Sequence, residues 1–271
     1  QHSCVLVQCG VGIEVRQVSV KRLKKVLFLP DTHSPYHCKP AFDLVEKVVA
    51  GIGPFDEVVI EGDFPDFYSV STHSKDPKRA GKFFEEVEVT KQLLRRVEGW
   101  GFTKQHYVMG NHEDRLDRYI HDKAPEMKGI VSCDGLLELT RHRWHITPYK
   151  DHTMVGKVYV THDVGKAGPS AVKDALSSYQ DNVVIGHLHR ISYMVEGNAK
   201  GVPHVAACFG WLGDVAQVDY MYRVKANRDW ALGFGVGYVR DNGFVYLQPV
   251  PIIDGSCCVE GKLFAVSNKK V

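Results

Sequence analysis

A chain of 271 residues, 44% hydrophobic and 24% charged with a mean hydropathy of −0.21, has enough apolar material for a sizeable core and lacks the polar bias of disorder. Its formal net charge of +2 argues against a broad electrostatic footprint for nucleic acid, although a local basic groove fits inside a near-neutral total. Seven cysteines without C-x-x-C pairs read as reduced thiols, and no apolar run approaches the ~20 residues of a membrane helix, so a cytoplasmic protein with no membrane attachment is expected.

The first 22 residues read as an N-terminal strand or extension. Because the chain begins with Gln1 rather than Met, they are expected to be the remnant of a longer chain. Residues 23–271 then read as one domain. Val26 to Leu29 is the first short apolar run, and it ends at Pro30-Asp31-Thr32-His33. A helix is predicted from Lys39 to Gly51, where Ala41, Leu44, Val45, Val48 and Val49 recur at helical spacing. Val58 to Ile60 runs into Glu61-Gly62-Asp63 and opens a long insertion, residues 64–106, which carries Tyr68, Ser71, Lys75, Lys78 and Arg79 before a second helical stretch from Gly81 to Trp100. Loops on a rigid scaffold usually set specificity, so this insertion and the aromatic stretch Trp211 to Tyr222 are where substrate discrimination is expected. His73 and His204 would line the substrate cleft if the loops after Asp66 and Lys200 fold over it.

Three more runs repeat the pattern. Tyr107 to Met109 ends at Gly110-Asn111-His112, Val158 to Val160 at Thr161-His162-Asp163, and Val183 to Ile185 at Gly186-His187-Leu188-His189. Short runs rich in Val and Ile, bounded by Gly or Pro, read as buried strands, and their alternation with helices implies a largely parallel sheet. The tail differs: GFGVGYV and FVYLQPV flank Asp241-Asn242-Gly243, so residues 230–250 are predicted to form a hairpin that makes the sheet antiparallel toward its end or packs as a second layer.

In open α/β sheets, residues distant in sequence converge where loops leave the carboxyl ends of strands. Every such end here offers a metal-competent side chain: Asp31, His33, Asp63, Asn111, His162, His187 and His189. Two carboxylates, an amide oxygen and four imidazoles are roughly the supply that two divalent cations ~3.5–4 Å apart require, with positions left for water and substrate. Taken singly each motif has a plainer reading. Asp31-Thr32-His33 serves equally as a helix cap, Gly62-Asp63 as a turn, and His162 as a core histidine. His142-Arg143-Trp144-His145, which interleaves an aromatic with charge, reads as a solvated face.

Taken together, D-T-H, G-D-F-P-D, G-N-H-E, an isolated His after a strand, and G-H-L-H follow the order and spacing of the calcineurin-like metallophosphoesterases, which the chain resembles from Asp31 to His189. It is also similar to uncharacterised members of that family from bacteria and tailed phages. The resemblance implies an α/β fold, a two-layer αββα sandwich with mixed sheets and the metals at one edge. It implies that Asp31, His33 and His189 hold one ion, Asn111, His162 and His187 a second, and that Asp63 bridges them. A bridging hydroxide would attack phosphorus in line, with His112 as general acid, Asp66 as its carboxylate partner and Gly110 allowing the tight bend between Asn111 and its strand.

One position departs from the family. Protein Ser/Thr phosphatases place a phosphate-clamping Arg directly after the second Asp, and here that position is Phe67. Arg115 and Arg190 are the substitutes nearest a motif. The departure favours phosphodiester hydrolysis, of cyclic nucleotides or nucleic acid, over a phosphomonoesterase or protein phosphatase. A non-catalytic metal-binding interaction scaffold is the alternative from another class. Ligands of this mixture suit Mn²⁺, Fe, Zn²⁺ or Ni²⁺; the resemblance favours Mn or Fe.

Overall fold

The computed structural model describes residues 22–79, 81–197, 201–218 and 229–266. The expected N-terminal extension therefore lies outside the described residues except for Arg22, as do the last four residues of the Trp211 to Tyr222 stretch.

In chain order the first half contains β1 (Lys24–Leu29), α1 (Lys39–Ile52), β2 (Glu57–Ile60), α2 (Phe83–Glu98), β3 (Lys104–Val108), α3 (Glu113–Lys123), α4 (Cys133–Leu137) and β4 (His145–Thr147). The second half contains β5 (Thr153–Val155), β6 (Val158–Thr161), α5 (Ala171–Tyr179), β7 (Val183–Ile185), β8 (Ile191–Gly197) and β9 (Pro203–Phe209). It closes with β10 (Gly233–Val239), β11 (Val245–Pro251), β12 (Ser256–Val259) and β13 (Lys262–Ala265).

Two mixed sheets face each other. One has the order β11-β10-β1-β2-β3-β4, the other β5-β6-β7-β9-β8, and β12 and β13 form a separate hairpin. Pairing is parallel from β1 through β4 and from β6 through β7 to β9, and antiparallel at the outer strands. The predicted hairpin forms, but it extends the first sheet by pairing with β1, from Lys24 opposite Val239 to Phe28 opposite Gly235. The second layer is built instead from residues 153–209.

The strand alternation explains the layers. Val26 and Phe28 point between the sheets and meet Val160, Val184, Ala207 and Phe209, while Leu27 and Leu29 point outward beneath α1 and α2. On the far side α5 covers Val183, Ile185, Ala206 and Cys208. The result is an αββα sandwich whose inner strands β1, β2 and β7 are buried on both faces, which is why they read as continuous apolar runs rather than alternating ones.

Much of the 64–106 insertion is structural. Val87, Leu93, Leu94 and Val97 of α2 are buried in the outer core, which leaves the stretch before α2 to approach the strand ends. No helix among the described residues is long and apolar enough to cross a membrane.

One aromatic pair sits within the inter-sheet contact. The rings of Phe28 and Phe209 lie 5.3 Å apart, and a side-chain carbon at Gly235 would meet Phe209 at 2.4 Å, so the glycine makes room for the ring. Phe209→Ala is expected to lower unfolding free energy by ~3–5 kcal/mol through lost burial and a cavity. Urea denaturation reads this directly, and a loss below about 1 kcal/mol would contradict the packing described.

Candidate metal centre

The parallel strands of both sheets end at one edge, and their loops bring the polar residues together. β1 delivers Asp31 and His33, β2 delivers Asp63 and Asp66, and β3 leads to Asn111 and His112; β6 delivers His162, and β7 His187 and His189. Potential ligand atoms of Asp31, His33 and His189 all lie within 4.8 Å of one another, as do those of Asp63, His162 and His187. The Asn111 Oδ1 atom lies 3.0 Å from His162 Nε2, which places the amide in the second group. A third group joins His33 to Asp66 and His112.

The two buried carboxylates are held in the same way. Asp31 accepts the main-chain N–H of His187 at Oδ1 (2.9 Å), and Asp63 accepts that of His112 at Oδ1 (2.8 Å). Each then turns Oδ2 toward imidazoles: Asp31 Oδ2 is 3.0 Å from His189 Nε2, and Asp63 Oδ2 is 3.3 Å from His162 Nε2. Asp31 Oδ2 makes no hydrogen bond despite complete burial. Burial alone would raise the Asp31 pKa, but His189 and His162 beside it hold it at about 2.

These donors fit cations. His162 donates from Nδ1 to the main-chain oxygen of Glu61 (2.9 Å), which turns Nε2 toward two oxygens, Asn111 Oδ1 and Asp63 Oδ2. Such a nitrogen needs positive charge in front of it, a proton or a metal ion. Accordingly, burial disfavours the charged ring, yet Asp63 and Asp31 push its pKa up to about 10. In the other group, His33 Nε2 and His189 Nε2 approach to 3.0 Å with the unpaired Asp31 oxygen beside them. With the rings in the tautomers that leave these nitrogens unprotonated, the three atoms face one another as the donors of a cation would.

His112 lies beside these groups. Its Nδ1 is 2.9 Å from the main-chain oxygen of Asp66, 3.2 Å from His33 Nδ1 and 3.5 Å from the Asp66 carboxylate. That carboxylate lies closer to His33 Nδ1, at 3.3 Å. The expected partner of His112 therefore touches it mainly through its backbone. Burial, with the positive charge of Arg115, lowers the His112 pKa to about 3 against the opposing pull of Asp63 and Asp66.

Of the two candidate arginines, Arg115 places one guanidinium nitrogen 2.7 Å from His112 Nε2 and the other 2.9 Å from the main-chain oxygen of Asp66. Arg190 is turned elsewhere, onto Asp229 and the main-chain oxygen of Ala167 at 3.1 Å. Phe67 is fully buried against Phe83, 5.6 Å between centroids, so it leaves no gap where a clamping Arg would sit.

A cavity of about 460 Å³ opens beside the first group, bordered by His33, His112, His189, Asp66 and Arg115. Tyr68, Ser71, His73 and Arg79 from the insertion, and Trp211 from the aromatic stretch, also line it. His204, the other histidine expected at the cleft, sits instead 3.6 Å from Asp181.

Glu113 closes the G-N-H-E motif but was given no role from the sequence, where an acid in the first turn of a helix is unremarkable. Here it is buried and accepts four hydrogen bonds: from Asp63 N (3.0 Å), Phe64 N (3.1 Å), Gly110 N (2.8 Å) and the Tyr107 hydroxyl (2.8 Å). It thereby fastens the β2 and β3 loops together. Gly110, expected to serve a tight bend, is required by space: a side-chain carbon there would fall 2.2 Å from Asp63 Oδ1.

No protein-family model matches the chain, and no curated protein matches it. Among solved structures it is similar to the NAD nucleotidase of Haemophilus influenzae, at 11% identity and a TM-score of 0.38, over 91% of this chain and 54% of that one. The chain thus spans about half the length of the nucleotidase. It is also similar to a hypothetical protein from Thermus thermophilus, at 13% identity and a TM-score of 0.40, over 83% of this chain and 100% of that one. Similarity this remote decides no activity.

Glu113→Gln replaces one acceptor oxygen by an amide nitrogen and strands buried donors, each worth ~1–3 kcal/mol. The variant is expected to keep its circular dichroism spectrum at low temperature, to unfold at lower urea, and to bind less added Mn²⁺ by elemental analysis. Wild-type metal content in a destabilised variant would show that Glu113 supports the fold without setting the ligands.

Proposed function

We propose that the chain is a metal-dependent phosphoesterase of the calcineurin-like kind its motifs resemble, acting on phosphate esters in the cavity beside His112. The observation that carries this reading is the convergence of two carboxylate and imidazole groups, contributed by both sheets, with a partly buried His–Arg pair that borders the cavity beside the first group. Asp31, His33 and His189 would hold one divalent ion, and Asp63, Asn111, His162 and His187 a second; Mn or Fe suits the donor set. Bound there, such ions would supply Lewis-acid charge for phosphate oxygens and an activated water.

The chain's own residues supply the rest. Arg115, which lines the cavity beside His112, is the cation available to a phosphate oxygen in place of the clamping Arg that Phe67 replaces in the sequence. His112 is anchored at Nδ1 on the Asp66 main chain, and its Nε2, which here accepts from Arg115, would take up and pass a proton to the departing alkoxide once a bound phosphate draws the guanidinium away. Asp66 orients both rings, His33 through its carboxylate and His112 mainly through its main-chain oxygen. Phosphodiesters are the preferred substrates, because the phosphoprotein-type clamp is absent and its position is filled by a packed aromatic ring.

His112→Asn is expected to lower kcat roughly 10²–10⁴-fold, the usual contribution of a general acid, while bound metal stays at the wild-type level by elemental analysis. Undiminished turnover would remove His112 from the mechanism. Asp63→Ala should abolish both metal binding and turnover. The metal-loaded protein should hydrolyse bis-p-nitrophenyl phosphate faster than p-nitrophenyl phosphate; the reverse order would overturn the diester preference.

A further inference from the structure

The cavity extends well past the phosphate position, and the walls of that extension are aromatic. Trp230, half-buried, packs edge-on against His189 (4.4 Å) and Trp211 (4.8 Å), while Trp211 stacks on His189 at 4.7 Å and 15°. Tyr36, also half-buried, meets Tyr68 edge-on at 6.0 Å and lies under the Arg79 guanidinium, 4.7 Å from its ring centre. Arg79 in turn bonds to the main chain and side chain of Gln217, tying the insertion to the segment after Trp211. All of these side chains line the one cavity.

We infer that this extension binds the base of a single nucleotide, so that the substrate is a monomeric nucleotide ester rather than a nucleic acid strand. The inference rests on the phosphoesterase reading for the position of the phosphate. Flat aromatic faces and a guanidinium plane are the surfaces on which bases stack. Binding of a running strand needs a positively charged groove with successive platforms. Here Arg79 and Arg115 are offset by Asp66 and Asp214 in the same lining, and the Arg79–Gln217 link joins the walls of a cavity of about 460 Å³, a small-molecule volume.

The test compares adenosine 5′-monophosphate with ribose 5-phosphate, which keeps the phosphate and loses the base, by calorimetric titration of the full chain with and without added Mn²⁺. The nucleotide is expected to bind roughly tenfold or more tightly, about 1.4 kcal/mol per tenfold. Tyr36→Leu should remove most of that difference and leave ribose 5-phosphate affinity unchanged, a control for folding; Tyr36→Phe should retain it. Equal affinities for the two ligands, or a (dA)₁₀ strand binding more tightly than the mononucleotide, would overturn the inference. Base-selective binding in a protein that turns over no phosphate ester would sink the phosphoesterase reading alone. Ester turnover without base selectivity would sink only this one.

Discussion

Two carboxylates with no access to water govern this structure. Asp31 and Asp63 are 0% and 1% exposed, and burial of an ionised carboxylate is tolerated only where partners replace its hydration. Each receives one main-chain N–H from a loop belonging to another strand, and each turns its second oxygen to imidazole nitrogens. Glu113 gathers the amides around Asp63, and Gly110 supplies the space into which that carboxylate fits. The arrangement concentrates negative potential and nitrogen lone pairs at one edge of the sandwich, so a cation is the natural complement.

The backbone shows what this concentration costs. His33, Asp63, His187 and His189 have φ between 50° and 66°, the left-handed region that non-glycine residues seldom occupy. Such conformations persist where surrounding contacts over-determine them, and they cluster at functional sites. Here the loops after β1 and β2 are laced together: Thr32 and His33 donate to the Asp63 carbonyl at 3.0 and 2.9 Å, and Ser34 to that of Phe64 at 2.7 Å.

How far the sequence could be read follows from these constraints. The seven ligand candidates were legible because each directly follows a short buried strand, and strand ends in a parallel sheet must share an edge. The partnership of the hairpin was not legible, because GFGVGYV would suit either sheet; in the fold it pairs with β1, and Gly235 makes room for Phe209 across the layer. Glu113 was given no role because its value lies in four donors scattered over residues 63 to 110, none adjacent to it in the chain. Of the two arginines weighed equally by proximity to a motif, only Arg115 faces the cavity. The first turn of α3 carries it over Asp66, whereas Arg190 begins a strand that leads away.

Neither ligand group belongs to a single sheet. Asp31 and His33 come from the first layer and His189 from the second; Asp63 comes from the first, and His162 and His187 from the second. An ion seated in either group would rivet the two layers at the edge where apolar packing gives way to polar loops. Occupancy would then appear as heat resistance scaling with free metal concentration, and a chelator that left the melting curve unmoved would show the halves to be fastened by their hydrocarbon interior alone.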